Sequence, residues 1–112
     1  MAKNFVQPGN TITLTAPYAV TSGDGLLVGS IFGIASGDAA LNEPVEVALS
    51  GVFDLTKVGS QAWTAGAKVY WDDTNKRATS VATSNTLIGV ATEAVAGGAG
   101  DTIGRVRLNG AF

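Results

Sequence analysis

The segment KVYWDDTNKRATS, residues 68–80, places two carboxylates, a side-chain amide and two cations within a few positions. Closely spaced oxygen ligands such as those of Asp72, Asp73 and Asn75 are what Ca²⁺ prefers. An EF-hand loop, however, has acids at alternate positions, a glycine and a distant bidentate glutamate. Here Lys76 and a second cation follow directly and would repel a metal ion. The spacing therefore argues against a calcium site.

The same two carboxylates can also be considered as a general acid and a general base. Adjacent residues on a strand or turn point in divergent directions, so Asp72 and Asp73 cannot easily flank one substrate bond. An alternating segment precedes the turn residues DDTNK, and RATSV then resumes an extended pattern. We therefore predict a β-hairpin over Tyr70–Arg77, with both carboxylates at its tip bonding backbone N–H groups.

The chain contains neither histidine nor cysteine. It therefore lacks the most common general base and transition-metal ligand, and it has no thiolate nucleophile. A Ser-Lys arrangement remains conceivable with Lys57 or Lys68, but neither lies in a nucleophile motif. The glycine-rich strings lack the lysine of a phosphate-binding loop, G-x-x-x-x-G-K-[ST]. We predict no catalytic residue, no cofactor and no metal.

Composition and charge limit the classes of partner. The formal net charge of −2 is spread along 112 residues without a basic cluster, which argues against a nucleic-acid partner. The longest apolar run, 26–35, is too short to span a membrane, and the N-terminus lacks the apolar run of a signal peptide. We expect a soluble protein made in the cytosol, with a short arm over residues 1–10 and a single β domain over residues 11–112.

Two-residue alternation of apolar and polar side chains recurs along the chain. It is clear in TITLTA and RVRLNG, and cleanest in VEVALSGVFDL, whose length predicts a strand that bends at Ser50-Gly51. The pattern predicts six or seven short strands separated by Gly, Asn, Asp and Ser turns. The predicted fold class is all-β, a small barrel or sandwich.

The segment GLLVGSIFGIASG differs because both faces of an extended chain would be apolar. We predict a central strand that is covered on both sides. An exposed strand of this kind would aggregate unless a partner covered it, and a homotrimer would provide that cover. The residues predicted for the oligomer interface are Leu27, Ile31, Val45 and Val47.

The alternation also predicts which side chains form the core. Glu46 and Asp54 should face solvent, because a shift of one residue would turn every side chain to the other face. The predicted core residues are Ile12, Leu14, Val28, Phe32, Val47, Leu49, Phe53, Val69, Trp71, Val90, Val106 and Leu108.

The segments MAKNFVQPGNTITLTAP, VTSGDGLLVGSIFGIA, EPVEVALSGVFDLTK and GAKVYWDDTNKRATS carry a resemblance to a known family, and TLIGVATEA and RVRLNG extend it almost to the C-terminus. The chain resembles the capsid cement, or head decoration, proteins of tailed phages. Some relatives carry an older description as RecA/RadA-like recombinases, and the missing phosphate loop argues against that activity here. A small enzyme or nucleotide-dependent DNA-processing factor remains the alternative.

The resemblance implies a structural, non-enzymatic protein on the exterior of an icosahedral capsid, commonly trimeric, which locks neighbouring capsomers together. The implied partners are the major capsid protein and further copies of this chain, without nucleic acid or membrane. The segment before Pro8 can add as a strand to a sheet edge on a capsid subunit. The residues predicted to bind the capsid are Lys3, Asn4, Phe5 and Val6.

Overall fold

A computed structural model of the chain describes residues 3–4 and 6–110. Within these residues the chain forms nine β-strands and no helix, which confirms the all-β class with more strands than expected. The strands are β1 (Thr11–Thr15), β2 (Gly25–Val28), β3 (Ile31–Ala35), β4 (Pro44–Ala48), β5 (Ser50–Thr56), β6 (Lys68–Asp72), β7 (Arg77–Thr79), β8 (Thr86–Ala91) and β9 (Ile103–Asn109).

The strands form two antiparallel sheets. The first has the order β1-β4-β3-β2, and the second has the order β5-β9-β8-β6-β7. The five-stranded sheet curls into a half-barrel, so that the segment following β5 meets β7: the backbone N–H of Val58 donates to the carbonyl of Ala78 at 3.0 Å. The single bent strand predicted over VEVALSGVFDL is two strands in different sheets, because the chain passes from the first sheet to the second at Leu49, one residue before the predicted bend at Ser50-Gly51.

Each sheet has its own hydrophobic core. The larger core fills the half-barrel and includes Trp63, Trp71, Val69 and Val106, each at most 3% exposed. The smaller core lies against the four-stranded sheet. Its buried members are Ala16, Val20, Leu26, Ala35, Ala39, Val45 and Val47.

The predicted core is confirmed in outline. Phe32, Val47, Val69, Trp71, Val106 and Leu108 are buried. Ile12, Leu14, Val28, Leu49, Phe53 and Val90 are half-buried. Glu46 and Asp54 are exposed, as the register argument required.

The predicted central strand over residues 26–35 is wrong, because this segment is the hairpin of β2 and β3. Gly29 occupies the first position of its two-residue turn with φ +59°, a conformation that glycine adopts without steric cost. The turn changes which residues share a face. One unbroken strand would place Phe32 on the same face as Leu26, whereas in the hairpin Phe32 pairs with Leu27 and shares its face. Leu27 and Phe32 therefore contact the larger core, and Leu26 lies in the smaller one.

The hairpin is nonetheless apolar on both faces for the predicted reason, namely that both faces are covered. Phe32 and Ile34, at 5% and 3% exposure, pack into the larger core, and Ala35, at 1%, packs into the smaller one. β3 therefore lies between the two cores. The cover comes from the same chain, so the hairpin does not need a partner subunit to bury these three side chains.

Candidate binding surfaces

The hairpin predicted around residues 70–77 is present, formed by β6 and β7. The Asp72 carboxylate accepts hydrogen bonds from the backbone N–H of Thr74 at 3.1 Å and of Asn75 at 3.2 Å. The Asn75 side-chain amide also donates to Asp72, and this bond is the main reason that the pKa of Asp72 is lowered. The turn interpretation of Asp72 is confirmed.

Asp73 has different contacts, which connect the hairpin to the segment after β1. Its Oδ1 accepts a hydrogen bond from the indole N–H of Trp71 at 3.1 Å and lies 3.4 Å from the Tyr18 hydroxyl. The Lys76 ammonium lies 3.3 Å from the same oxygen and 4.1 Å from the centre of the Tyr18 ring. We call Tyr18, Trp71, Asp73 and Lys76 the clasp.

The Tyr18 hydroxyl is the central group of the clasp. It lies 3.1 Å from the carbonyl of Gly25 and 3.4 Å from Asp73, and its single hydrogen can be donated to one acceptor at a time. Burial, followed by the charge of Asp73, raises the pKa of Tyr18 to about 12. The phenol is therefore neutral at physiological pH and acts as a hydrogen-bond donor, which is a structural role.

Lys57, one of the two lysines nominated from sequence, is buried at 1% exposure. Its ammonium donates to the carbonyls of Val58 at 2.7 Å and Asp101 at 3.1 Å, and lies 5.4 Å from the centre of the Trp63 ring. Burial lowers the pKa of Lys57. Through these hydrogen bonds Lys57 links the segment after β5 to the segment before β9. None of these contacts involves a serine hydroxyl.

The second nominated lysine, Lys68, lies on the outer face of the five-stranded sheet. The strand pairing places it in a row that runs across the sheet: Val52 opposite Arg107, Arg107 opposite Val90, and Val90 opposite Lys68. Lys68 and Arg107 are exposed. Neither has an ion-pair partner in the part of the chain that the structure describes.

The neighbouring row on the same face is neutralised internally. Arg105 donates to Asp54 through two nitrogens, at 2.9 and 3.2 Å, and lies 3.8 Å from a carboxylate oxygen of Glu93. The hydrogen bond from Arg105 is the main reason that the pKa of Asp54 is lowered. The unpaired positive charge of this face is therefore concentrated at Lys68 and Arg107.

A β-bulge makes a shallow pocket between these two cations. Val69 pairs with Gly89 while Tyr70 pairs with Leu87, so Ile88 is an extra residue on β8, and it is buried at 2% exposure. A pocket of about 140 Å³ lies on the outer face at this point. We call it the outer pocket, and its lining residues are Lys68, Leu87, Gly89, Val90, Arg107 and Asn109.

Gly89 is required at the bulge because the backbones approach closely there. A Cβ at position 89 would overlap the carbonyl oxygen of Arg107 on the paired strand. The outer pocket could not be predicted from the sequence, because the bulge depends on how β6 and β8 are paired. Val90, which was predicted to lie in the core, is half-buried and lines the pocket.

The residues predicted to bind the capsid lie at the N-terminus. Lys3, Asn4 and Val6 are exposed, Val6 at 88%, and Phe5 lies outside the described residues. These four positions stay a prediction as a capsid-binding segment.

The residues predicted for the oligomer interface fall into two groups. Leu27 and Ile31 are half-buried on the β2–β3 hairpin, so part of each side chain is accessible. Val45 and Val47, at 4% and 0% exposure, lie in the smaller core and have almost no surface to offer a partner. The interface itself stays a prediction.

The described residues form a small all-β domain, and its outer face carries a pocket flanked by two cations. In residues 3–4 and 6–110, no group of three or more Asp, Glu, His or Cys side chains could hold a metal ion. No helix in the same ranges is long and apolar enough to cross a membrane.

Comparison with protein families identifies the chain. A family model described as phage cement protein matches residues 6–108, and the chain belongs to this family. Comparison with curated proteins gave no match, and comparison with solved structures gave none. Family membership confirms the resemblance seen in the sequence and indicates a structural, capsid-binding role in the virion.

Proposed function

We propose that this protein binds the exterior of the assembled capsid of a tailed phage, as a homotrimer between capsomers, and stabilises the head. The observation that carries the proposal is the match of the cement family model over residues 6–108. The partner is the major capsid protein. The protein is made in the host cytoplasm and ends on the outside of the virion, without a catalytic role.

The stabilising mechanism is mass action. A protein that binds the assembled shell and not its separated subunits stabilises the shell by its binding free energy. A trimer that touches several capsomers at once adds avidity, since each further contact forms at a high effective concentration. No chemical step is required, which agrees with a chain that has no histidine and no cysteine.

The N-terminal segment is the proposed capsid contact. Lys3, Asn4 and Val6 are exposed and precede β1, which begins at Thr11. An extended segment can add to a free sheet edge, where main-chain hydrogen bonds give affinity and alternate side chains such as Phe5 or Val6 fill pockets. Lys3 adds a positive charge to this contact.

The proposal is tested with heads assembled without this protein. Purified protein is added to such heads, and bound copies per head are counted after sedimentation through a cushion. We expect saturable binding in a fixed ratio to the major capsid protein, and release of packaged DNA at a higher temperature than from bare heads. Heads that bind no protein at micromolar concentration, or that release DNA at an unchanged temperature when saturated, would contradict the proposal.

A further inference from the structure

Leu41 is a large apolar side chain that the fold presents to solvent. It is 57% exposed, in a loop over residues 38–43 that we call the acidic loop because Asp38 begins it and Glu43 ends it. The loop is well ordered by backbone bonds: Asn42 N–H donates to the carbonyl of Ala16 at 2.9 Å, and Ala16 N–H donates to that of Glu43 at 2.8 Å. A side chain displayed on an ordered loop loses little further entropy on binding.

The two carboxylates beside Leu41 retain capacity for a partner. Asp38 accepts one hydrogen bond, from Ser22 N–H at 2.9 Å, and Glu43 accepts one from Ala40 N–H at 3.0 Å. An ionised carboxylate offers roughly four acceptor sites. Both residues are exposed, and neither forms an ion pair within the described residues.

The outer pocket has the complementary chemistry. Leu87, Val90 and the backbone of Gly89 give it an apolar lining, and Lys68 and Arg107 stand on either side of Val90. Because paired strands lie about 4.8 Å apart, the two cations start from positions roughly 10 Å apart across the sheet. Apolar cavities of roughly 150 Å³ hold a benzene-sized ligand, so a pocket of about 140 Å³ has room for one leucine side chain.

We propose that Leu41 of one copy enters the outer pocket of the next copy, with Asp38 and Glu43 facing Lys68 and Arg107. The acidic loop and the outer pocket are different surfaces, so the contact is head-to-tail and can close into a ring. The inference rests on the trimer in the proposed function and supplies its interface. In a closed ring each copy is held by two such contacts.

The charge pattern of the chain favours a second copy of this protein as the occupant of the outer pocket. The exposed large apolar side chains of the described residues are Val6, Leu41, Val52, Val81, Leu87 and Ile103. Only Leu41 among them has carboxylates within three residues on both sides. The N-terminal segment is a poorer occupant, because it brings the cation Lys3 and the chain has no carboxylate before Asp24.

The test is the oligomeric state of the full chain, measured by sedimentation equilibrium at micromolar concentration. We expect a trimer for the unaltered protein. Leu41→Ser, and separately K68E/R107E, should weaken association by at least about tenfold, since each removes one side of the contact. The quadruple variant D38K/E43K/K68E/R107E, which exchanges the charges of the two surfaces, should restore it.

The comparison variant is Ile31→Ser, which alters a residue of the oligomer interface predicted from sequence and should remain trimeric. Circular dichroism and melting temperature confirm that each variant is folded, and Leu41→Ser changes an exposed side chain only. A monomeric unaltered protein, a trimeric Leu41→Ser, or dissociation by Ile31→Ser would each overturn the inference. Trimeric K68E/R107E that no longer binds heads would also overturn it, because the pocket would then contact the capsid, and the proposed function would stand.

Discussion

The carboxylate of Asp73 lies 3.4 Å from the hydroxyl of Tyr18, a residue 55 positions earlier in the chain. The same Asp73 oxygen accepts the indole N–H of Trp71, a side chain of the larger core. Tyr18 belongs to the segment that packs against the smaller core. This one carboxylate therefore connects the two halves of a molecule that has separate cores.

We predict that the two adjacent carboxylates of the hairpin contribute differently to stability. Asp73→Ala leaves the Trp71 indole N–H without its acceptor and removes the ion pair with Lys76, and we expect a cost of about 1–3 kcal/mol. Asp72→Ala removes exposed turn bonds, with an expected cost of at most about 1 kcal/mol. Urea unfolding of both variants measures the difference.

This prediction differs from the interpretation drawn from the sequence, in which both carboxylates lie at the hairpin tip and bond backbone N–H groups. The hydrogen bonds of Asp73 to side chains outside the turn are the reason for the difference. Equal free energies of unfolding for the two single variants would contradict the role assigned to the clasp.

We predict a loss of stability at high pH that depends on Tyr18. The folded state raises the pKa of this phenol from 10.0 to about 12, so the folded protein holds the proton more tightly than the unfolded chain does. The resulting stability is complete below pH 10 and is lost as the pH rises through about 12. The ring is partly exposed and solvent screens the Asp73 charge, so we expect about 1 kcal/mol.

The measurement is the free energy of unfolding against pH for the unaltered protein, Tyr18→Phe and the control Tyr70→Phe. Tyr18→Phe should flatten the profile above pH 10, because no proton remains to be lost at that site, and Tyr70→Phe should leave the slope in place. Near-ultraviolet phenolate absorbance follows the ionisation directly. A slope that persists in Tyr18→Phe would show that another group causes it.

We predict that Trp71 is among the most costly residues to truncate. It is 3% exposed and packs against Phe32 with ring centres 5.0 Å apart, so Trp71→Ala opens a cavity at the point where β3 meets the half-barrel. The expected cost is about 3–5 kcal/mol. Its neighbour Tyr70 is half-buried and provides the control, since Tyr70→Ala should cost clearly less. Comparable losses in the two variants would contradict the burial seen here.

The sequence predicted those parts of the fold that depend on alternation within one strand. Val47 and Val106 are buried and Glu46 is exposed because a period of two assigns each side chain to a face. It did not predict the turn at Gly29-Ser30, because those two residues interrupt an apolar run that also fits one longer strand. It did not predict Trp63 in the core, because the surrounding SQAWTAG has no periodicity.

The candidate surfaces were less predictable because they depend on distant contacts. The clasp joins Tyr18 to Asp73, and no local pattern relates them. The outer pocket arises from a register shift between β6 and β8, which sets Ile88 inward and leaves Val90 on the outer face. The cement family could be recognised from short segments that follow one another in a fixed order along the sequence, since that recognition does not depend on which strands pair.

The last prediction concerns the N-terminal segment. Among the described residues, deleting 2–7 removes the exposed side chains of residues 3, 4, 6 and 7 and a hydrogen bond from the Gln7 amide to the carbonyl of Thr11 at 3.0 Å, so the melting temperature should be unchanged. The deletion should abolish decoration of heads that lack cement, because the proposed added strand and the apolar burial of Phe5 and Val6 are lost. Val6→Ser serves as the matched single change and should weaken head binding without removing it. If the truncated protein binds such heads as tightly as the full chain, the β domain makes the capsid contact and the N-terminal segment does not.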